Sequence, residues 1–280
     1  MKLEPGMTAW VSGAGSGIGR SIARELAARG LKVAVVDIRR DTAEDVAHKI
    51  RAANGTAHAI AADVSDAAAF EAAVTESEAE LGPVSLVVNN AGVAMHGRRL
   101  HEFTQAEWDW VIGVNFRGVI HGIRAFLPGM LERGTPGHVV NTASIGGFQV
   151  NPDFLTAAYS MTKYAVVALS EGLQNELAGT PVGVSVLAPA AVATDIHLAA
   201  RARPDRFGGP GERPENHFMG DLIRDGADPD AIGRMVARAV EDDRFYIFTH
   251  PETRRWIEER HARLLEGFGA AERDRAEATE

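Results

Sequence analysis

The sequence predicts an α/β protein, a single domain built on a doubly wound parallel sheet. Three observations carry this. Short apolar runs alternate with amphipathic stretches of helix length through most of the 280 residues. Runs such as Val33-Ala34-Val35-Val36 and Leu86-Val87-Val88 lack in-and-out alternation, as strands covered on both faces do. A glycine-rich turn, Ser12-Gly13-Ala14-Gly15-Ser16-Gly17-Ile18-Gly19, separates the first apolar run from the first amphipathic one.

In order, strands are expected at 8–11, 32–37, 56–62, 84–88, 137–142, 182–188 and 244–248. Helices are expected at 17–29, 41–53, 66–81, mostly through 105–131, and at 157–177, 229–241 and 251–267. Asn54-Gly55 stops the second helix. The rhythm breaks over 200–230, where Arg203-Pro204, Gly208-Gly209-Pro210-Gly211, Arg213-Pro214 and Asp228-Pro229 cluster. Such a stretch is too long for an ordinary loop, so 195–226 reads as a substrate lid following the sixth strand. The domain is then 1–268, and the charged tail 269–280 is expected to fray.

Composition narrows the function. A net charge of −9, with arginines scattered among acids, opposes a nucleic-acid surface. With no cysteine there is no disulfide, thiol catalysis or Cys-ligated metal. The ten histidines form no metal set, and no metal is expected. No apolar run approaches the ~18–20 residues that span a bilayer, and the N-terminus lacks a separate leader-like apolar region. No membrane partner is expected, and the cytoplasm is the default location.

The glycine-rich turn follows a strand and opens a helix. Glycines there let the backbone approach a pyrophosphate, and the helix N-terminus offers free N–H groups and its positive dipole end. Asp37 stands twenty residues beyond Gly17, at the end of the second strand, where an acid accepting from an adenosine ribose belongs. This is the dinucleotide fingerprint of a Rossmann-like fold. The carboxylate favours NAD and repels the 2′-phosphate of NADP, although Arg39 and Arg40 follow it.

Tyr159 and Lys163 are four apart on an expected helix and so share a face. A phenol can take up or give the hydroxyl proton of an alcohol, but its pKa of about 10 is high for that task near neutral pH. A nearby ammonium should lower it. Lysine is scarce (Lys2, Lys32, Lys49 and Lys163), which makes its place one turn after a tyrosine conspicuous. Ser144 follows the strand ending at Thr142, at the sheet edge where ligands sit.

Together these motifs resemble the short-chain dehydrogenase/reductase family from Gly13 to Phe248. Its glycine motif matches Gly13, Gly17 and Gly19, with Ser12 where Thr is usual. Its adenine-site acid matches Asp63, followed by Val64, and its Asn-Asn-Ala-Gly motif matches Asn89-Asn90-Ala91-Gly92. Asn115, Ser144, Tyr159 and Lys163 match its catalytic four; the family role of Asn115 is to hold a proton-relay water, the alternative being a helix Asn bonded to backbone. Pro189 to Thr194 matches its nicotinamide segment, with Ala190 for the usual Gly. The resemblance thus implies catalytic Asn115, Ser144, Tyr159 and Lys163. It implies a cofactor lined by Gly13, Ser16, Gly17, Ile18 and Gly19, by Asp37, Ile38, Asp63 and Val64, by Asn90, Ala91 and Gly92, and by Tyr159, Lys163, Pro189, Val192 and Thr194. Ser144 and Tyr159 are fifteen apart, about two more than is common in the family, and the extra residues fall in Asn151-Pro152-Asp153-Phe154.

The expected activity is hydride transfer between NAD(H) and a bulky, mostly apolar secondary alcohol or ketone, the substrate being met by 145–155, 195–226 and a loop near 95–99. Gly146, Gly147, Phe148, Phe154, Leu198, Phe207, Phe218, Met219 and Leu222 offer apolar surface, while Arg201, Arg203 and Arg206 leave an acidic substrate open. The stretches 108–122 and 137–148 resemble bacterial members that oxidise benzylic alcohols of aryl ethers, or terpenoid alcohols. The same residues would serve a biosynthetic ketone reductase in reverse, and a non-catalytic dinucleotide sensor or scaffold is the reading from another class. By family analogy the helices carrying Trp108 and Tyr159 pair across a subunit interface, giving a homodimer or homotetramer.

Overall fold

The computed structural model describes residues 1–211 and 217–278, with the side chains at 217–219 and 222 outside the description. Arg213, Pro214 and the side chains of Phe218, Met219 and Leu222, expected in the lid, lie outside the described residues.

Among the described residues seven strands form one parallel sheet: β1 (Thr8–Ser12), β2 (Lys32–Asp37), β3 (Thr56–Ala61), β4 (Val84–Asn89), β5 (Gly137–Thr142), β6 (Val182–Ala188) and β7 (Tyr246–Phe248). Their order is β3-β2-β1-β4-β5-β6-β7. The chain therefore winds outward from β1 in one direction and from β4 in the other, which opens a crevice at their carboxyl ends.

Residues on each central strand alternate between two cores. Ala9 and Val11 of β1 join Val33 and Val35 of β2 against α1 (Gly17–Ala28), α2 (Arg40–Ala52) and α8 (Pro229–Glu241). Trp10 joins Ala34, Val36 and Val87 against α3 (Ala67–Leu81), α5 (Gly118–Arg133) and α6 (Ala157–Glu176). Both faces are buried, which is why the strands read as unbroken apolar runs.

The long helix expected at 105–131 is interrupted. α4 (Gln105–Ile112) passes through a π turn, Gly113–Arg117, closed by Gly118 N–H donating to Gly113 O, before α5 begins. After β6, the lid region is ordered into 3₁₀ turns at Ile196–Ala202 and Asp205–Phe207 and the short helix α7 (His217–Arg224). Over its described part the tail is helical: α9 runs from Arg254 to Glu277, well past Gly267. Its i,i+4 pair Arg254–Glu258 favours the helix. No helix among the described residues is long and apolar enough to cross a membrane.

Trp10 is fully buried between Phe70 and Phe126, with ring centroids at 5.2 and 5.1 Å. Its indole N–H has no partner among the described residues. Trp10→Ala is therefore expected to cost about 3–5 kcal/mol in a denaturant titration. Trp10→Phe, which removes the orphaned donor and keeps an aromatic ring, is expected to cost clearly less.

Candidate active site

At the crevice the end of β1 is tied to the end of β4 through Ser12. Its Oγ accepts from Asn90 N at 3.0 Å and Ala91 N at 3.1 Å. Asn90 Nδ2 returns a bond to Ser12 O at 3.0 Å. The glycine turn is pressed against this junction. Gly13 has φ +65°, and a Cβ there would lie 2.8 Å from Ala91 Cα; at Gly17, φ +50°, it would lie 2.8 Å from the Thr194 side chain. No L side chain fits either place without strain. Ser16 precedes α1 in extended conformation, and its side chain makes no cap bond to the first-turn N–H groups.

Asp37 is held in place by Gly15 N, donating to Oδ2 at 3.0 Å, and by Arg39 N, donating to Oδ1 at 3.1 Å. The Arg39 guanidinium is turned to Asp41, 3.0 Å away, rather than into the crevice. This glycine cradle with an oriented acid at its rim fits a dinucleotide: the backbone can approach phosphates, and Asp37 can receive ribose hydroxyls.

A cavity of about 560 Å³ runs from Asp37 and Ile38 past Ser144 and Tyr159 to the segment after β6. Every expected site residue lines it except Gly19 and Asn115. Gly19 is buried behind the turn, where a Cβ would strike Gly13 O. The interrupted helix explains Asn115. The π turn carries its side chain inward, where Oδ1 accepts from Val93 N at 2.7 Å and Nδ2 donates to Val93 O at 3.0 Å and Thr162 Oγ1 at 3.1 Å. The side chain thus bonds the backbone of distant Val93 and the Thr162 hydroxyl, and in doing so fixes the loop after β4 against α6.

Lys163 is buried, and its Nζ donates to Thr142 O at 2.8 Å. It stands 5.6 Å from the centre of the Tyr159 ring. Burial pulls Lys163 down to about 8. Tyr159 is half-buried, facing the cavity; desolvation pushes it up to about 12, opposed by a hydrogen bond with Ser144. The lowering expected from the ammonium is not seen: desolvation dominates, and the opposing contribution comes from Ser144. The resting pair at neutral pH is a phenol beside an ammonium.

Ser144 Oγ accepts from Gly146 N at 3.1 Å and donates to Pro189 O at 3.3 Å, so β5 and β6 jointly orient it. Ala190 adopts no left-handed backbone, so its Cβ brings no such strain. Val192 bridges to Ala227, and Ala193 N donates to Ala227 O at 3.0 Å, which pins the nicotinamide segment to the chain before α8.

The expected substrate surface needs correction. Gly146 and Phe154 line the cavity, but Phe148 packs on Tyr246 and Phe248. Ile196, Ala199 and Ala202 face the cavity in place of Leu198 and Phe207. Trp108 packs on Phe103, while buried Trp110 reaches the cavity. One wall escaped the sequence reading altogether: His250, Glu252, Thr253 and Trp256, from the end of β7 and the start of α9. Arg203 and Arg206 do not line the cavity; they pair with Glu107 and with Asp63 and Asp66. Among the described residues, no cluster of His, Asp and Glu could hold a metal ion.

The family model for short chain dehydrogenase matches residues 7–205. A C alpha-dehydrogenase from Sphingobium sp. strain SYK-6 is 33% identical over 278 residues, spanning 98% of this chain and 90% of that one. A 1-deoxy-11-beta-hydroxypentalenate dehydrogenase from Streptomyces avermitilis is 35% identical over 253 residues, 90% of this chain and 87% of that one. Among solved structures, a short-chain dehydrogenase/reductase from Burkholderia phymatum in complex with NAD superposes with a TM-score of 0.90 at 34% identity, covering 95% of this chain and 97% of the other. The chain belongs to the short-chain dehydrogenase/reductase family, whose members are oxidoreductases acting on alcohols and ketones.

The two ionisations set a pH dependence. Alcohol oxidation needs the phenolate of Tyr159, so its rate should rise with pH from neutral into the alkaline range. Ketone reduction needs the phenol, which burial preserves up to about 12, so its rate should hold from neutral into the alkaline range and fall only as that value is approached. In Lys163→Met the ammonium, which the parent carries below about 8, is gone, so oxidation should fall most near neutral pH and less above that value; steady-state rates in both directions across a pH series measure this.

Proposed function

We propose that the protein transfers a hydride between NAD(H) and a bulky, mostly apolar secondary alcohol or its ketone, with Tyr159 as the acid/base. The observation that carries this is convergence: Ser144, Tyr159 and Lys163 meet in the same cavity that Asp37 and the glycine turn open at its other end. Ser144 and Tyr159 hold the substrate oxygen. The Tyr159 hydroxyl takes the alcohol proton in one direction and returns it in the other. Lys163 supplies the positive charge and, through Thr142 O, is fixed to β5. The cofactor is held by the Gly13–Gly17 turn, the α1 N-terminus, Asp37, Ile38, Asp63, Val64, Asn90, Ala91, Gly92, Pro189, Val192 and Thr194; when bound, its nicotinamide supplies the hydride acceptor or donor.

The substrate end supports the apolar class. Met95, Trp110, Phe154 and Trp256 stand on its walls. Glu252 also faces it, and with Arg203 and Arg206 engaged elsewhere, an anionic substrate is disfavoured. The named relatives act as dehydrogenases, one at a Cα position and one on a hydroxypentalenate, consistent with bulky carbon skeletons. The reverse reading, a ketone reductase, is favoured by the resting phenol, which is the proton-donating form. A panel of bulky secondary alcohols with NAD, beside the matching ketones with NADH, tests the activity and decides the direction from the ratio of rates. No turnover with either, despite dinucleotide binding, would return the sensor reading.

NAD is assigned on Asp37, and kcat/KM should favour it over NADP by about 100-fold or more, the carboxylate and a 2′-phosphate repelling at contact distance. Asp37→Ser should lower that preference by at least about tenfold, mainly by weakening NAD. Equal use of both cofactors by the parent protein would overturn the assignment. The same family reading makes the protein a homodimer or homotetramer, and a monomeric mass by light scattering would reject that.

A further inference from the structure

Resting on the dinucleotide reading, we propose that Arg206 is a positioning residue that staples the substrate-facing segment Ile196–Ala202 to the adenosine end of the cleft, so that filling one end of the cavity fixes the wall of the other.

The Asp205–Phe207 turn reaches across from the segment that follows β6 to the loop that follows β3. Arg206 Nη2 donates to Asp63 Oδ2 at 2.8 Å and to Ser65 Oγ at 2.8 Å, and Nη1 donates to Asp66 Oδ2 at 3.2 Å. One planar fork thereby spans two carboxylates, a geometry that a guanidinium makes well and an ammonium does not. Asp66 is itself fixed, since its Oδ1 caps α3 by accepting from Ala69 N at 3.0 Å. Next along the chain, the Phe207 ring rests over Gly113, where the π turn that carries Asn115 begins; a Cβ there would touch Phe207 Cζ at 3.8 Å.

Asp63 is the hinge of the proposal because it faces two ways. It lines the cavity beside Asp37 and Ile38. Its Oδ1 accepts from Ser65 N at 2.9 Å and Ser65 Oγ at 2.6 Å. Among the described residues, Oδ2 accepts from Arg206 alone, which leaves that oxygen one further acceptor direction. A donor on a ligand at this end can use it without evicting Arg206, and each bond then helps hold the carboxylate for the other.

The same end of the segment carries a second, independent tie at Arg203. Arg203 Nε donates to Gly209 O at 2.7 Å, and Arg203 Nη1 lies 3.5 Å from buried Glu107. Glu107 also pairs with Arg98, from the loop whose Met95 and His96 line the cavity. Both staples directly follow the stretch holding Ile196, Ala199 and Ala202, which line the cavity. The Arg203 staple joins substrate-side elements to each other. Arg206 alone of the two reaches a residue at the dinucleotide end.

Hydrogen exchange read by mass spectrometry on the full chain, with and without NAD, tests this in the parent protein, Arg206→Ala and Arg206→Lys. In the parent, NAD should slow exchange both in 13–19 and in 196–206. In Arg206→Ala it should still slow 13–19, while its effect on 196–206 falls by about fivefold or more, and Arg206→Lys should recover part of it. In the alcohol assay the loss in Arg206→Ala should fall on KM, raised about five- to tenfold, rather than on kcat. Undiminished NAD protection of 196–206 in Arg206→Ala would overturn the proposal. Absence of NAD protection at 13–19 in the parent would instead overturn the dinucleotide reading beneath it.

Discussion

A fully buried lysine is the constraint around which the rest is arranged. Removing an ammonium from water is costly unless polar partners replace the lost hydration. Lys163 finds one at Thr142 O, at the very end of β5. That single bond fixes the height of α6 on the sheet and therefore the position of Tyr159, one turn earlier. A polar ladder deeper in the same layer reinforces it: Asn89 Nδ2 donates to Asn141 Oδ1, and Asn141 Nδ2 to Ser170 Oγ on α6. The neighbouring space is kept narrow, since a Cβ at Gly92 would lie 3.5 Å from both Lys163 Nζ and Asn115 Oδ1. Asn115, held by the π turn, closes the arrangement from α4 and α5.

The dinucleotide end follows a different physical logic. There, close backbone approach matters more than buried charge. Ser12 knits the ends of β1 and β4 together, the glycines let the turn lie flat against that junction, and Gly15 N orients Asp37. The two ends share one cavity but draw on separate strands, which suits a site where a large ligand is recognised at one place and chemistry occurs at another.

Much of this was legible in the sequence, for local reasons. Strands buried on both faces leave unbroken apolar runs, a glycine turn needs glycines, and a helical Tyr/Lys pair has a fixed spacing. What could not be read is long-range. Whether Asn115 lines the cavity depends on a π turn, and nothing in Gly113-Val114-Asn115-Phe116-Arg117 distinguishes that from a regular helix. The wall of His250, Glu252, Thr253 and Trp256 comes from a segment about ninety residues beyond Tyr159 and carries no motif. Segments 145–155 and 195–226 stood out in the sequence as groups, but which of their residues face inward depends on 3₁₀ turns: Phe148 and Phe207 turn to other contacts while Ile196 and Ala199 face the cavity. The Tyr159 pKa reversed its expected direction because spacing reports the neighbouring charge and not the depth of burial.

The central claim is that the Tyr159 hydroxyl moves the proton while taking no essential part in holding the dinucleotide. Tyr159→Phe removes that hydroxyl and little else. Its turnover with the best alcohol of the panel, measured beside its NAD dissociation constant, tests the claim most directly. The account predicts a fall in kcat of about 10²–10⁴-fold with NAD affinity kept within a few-fold. A variant that retains near-parental turnover would contradict it.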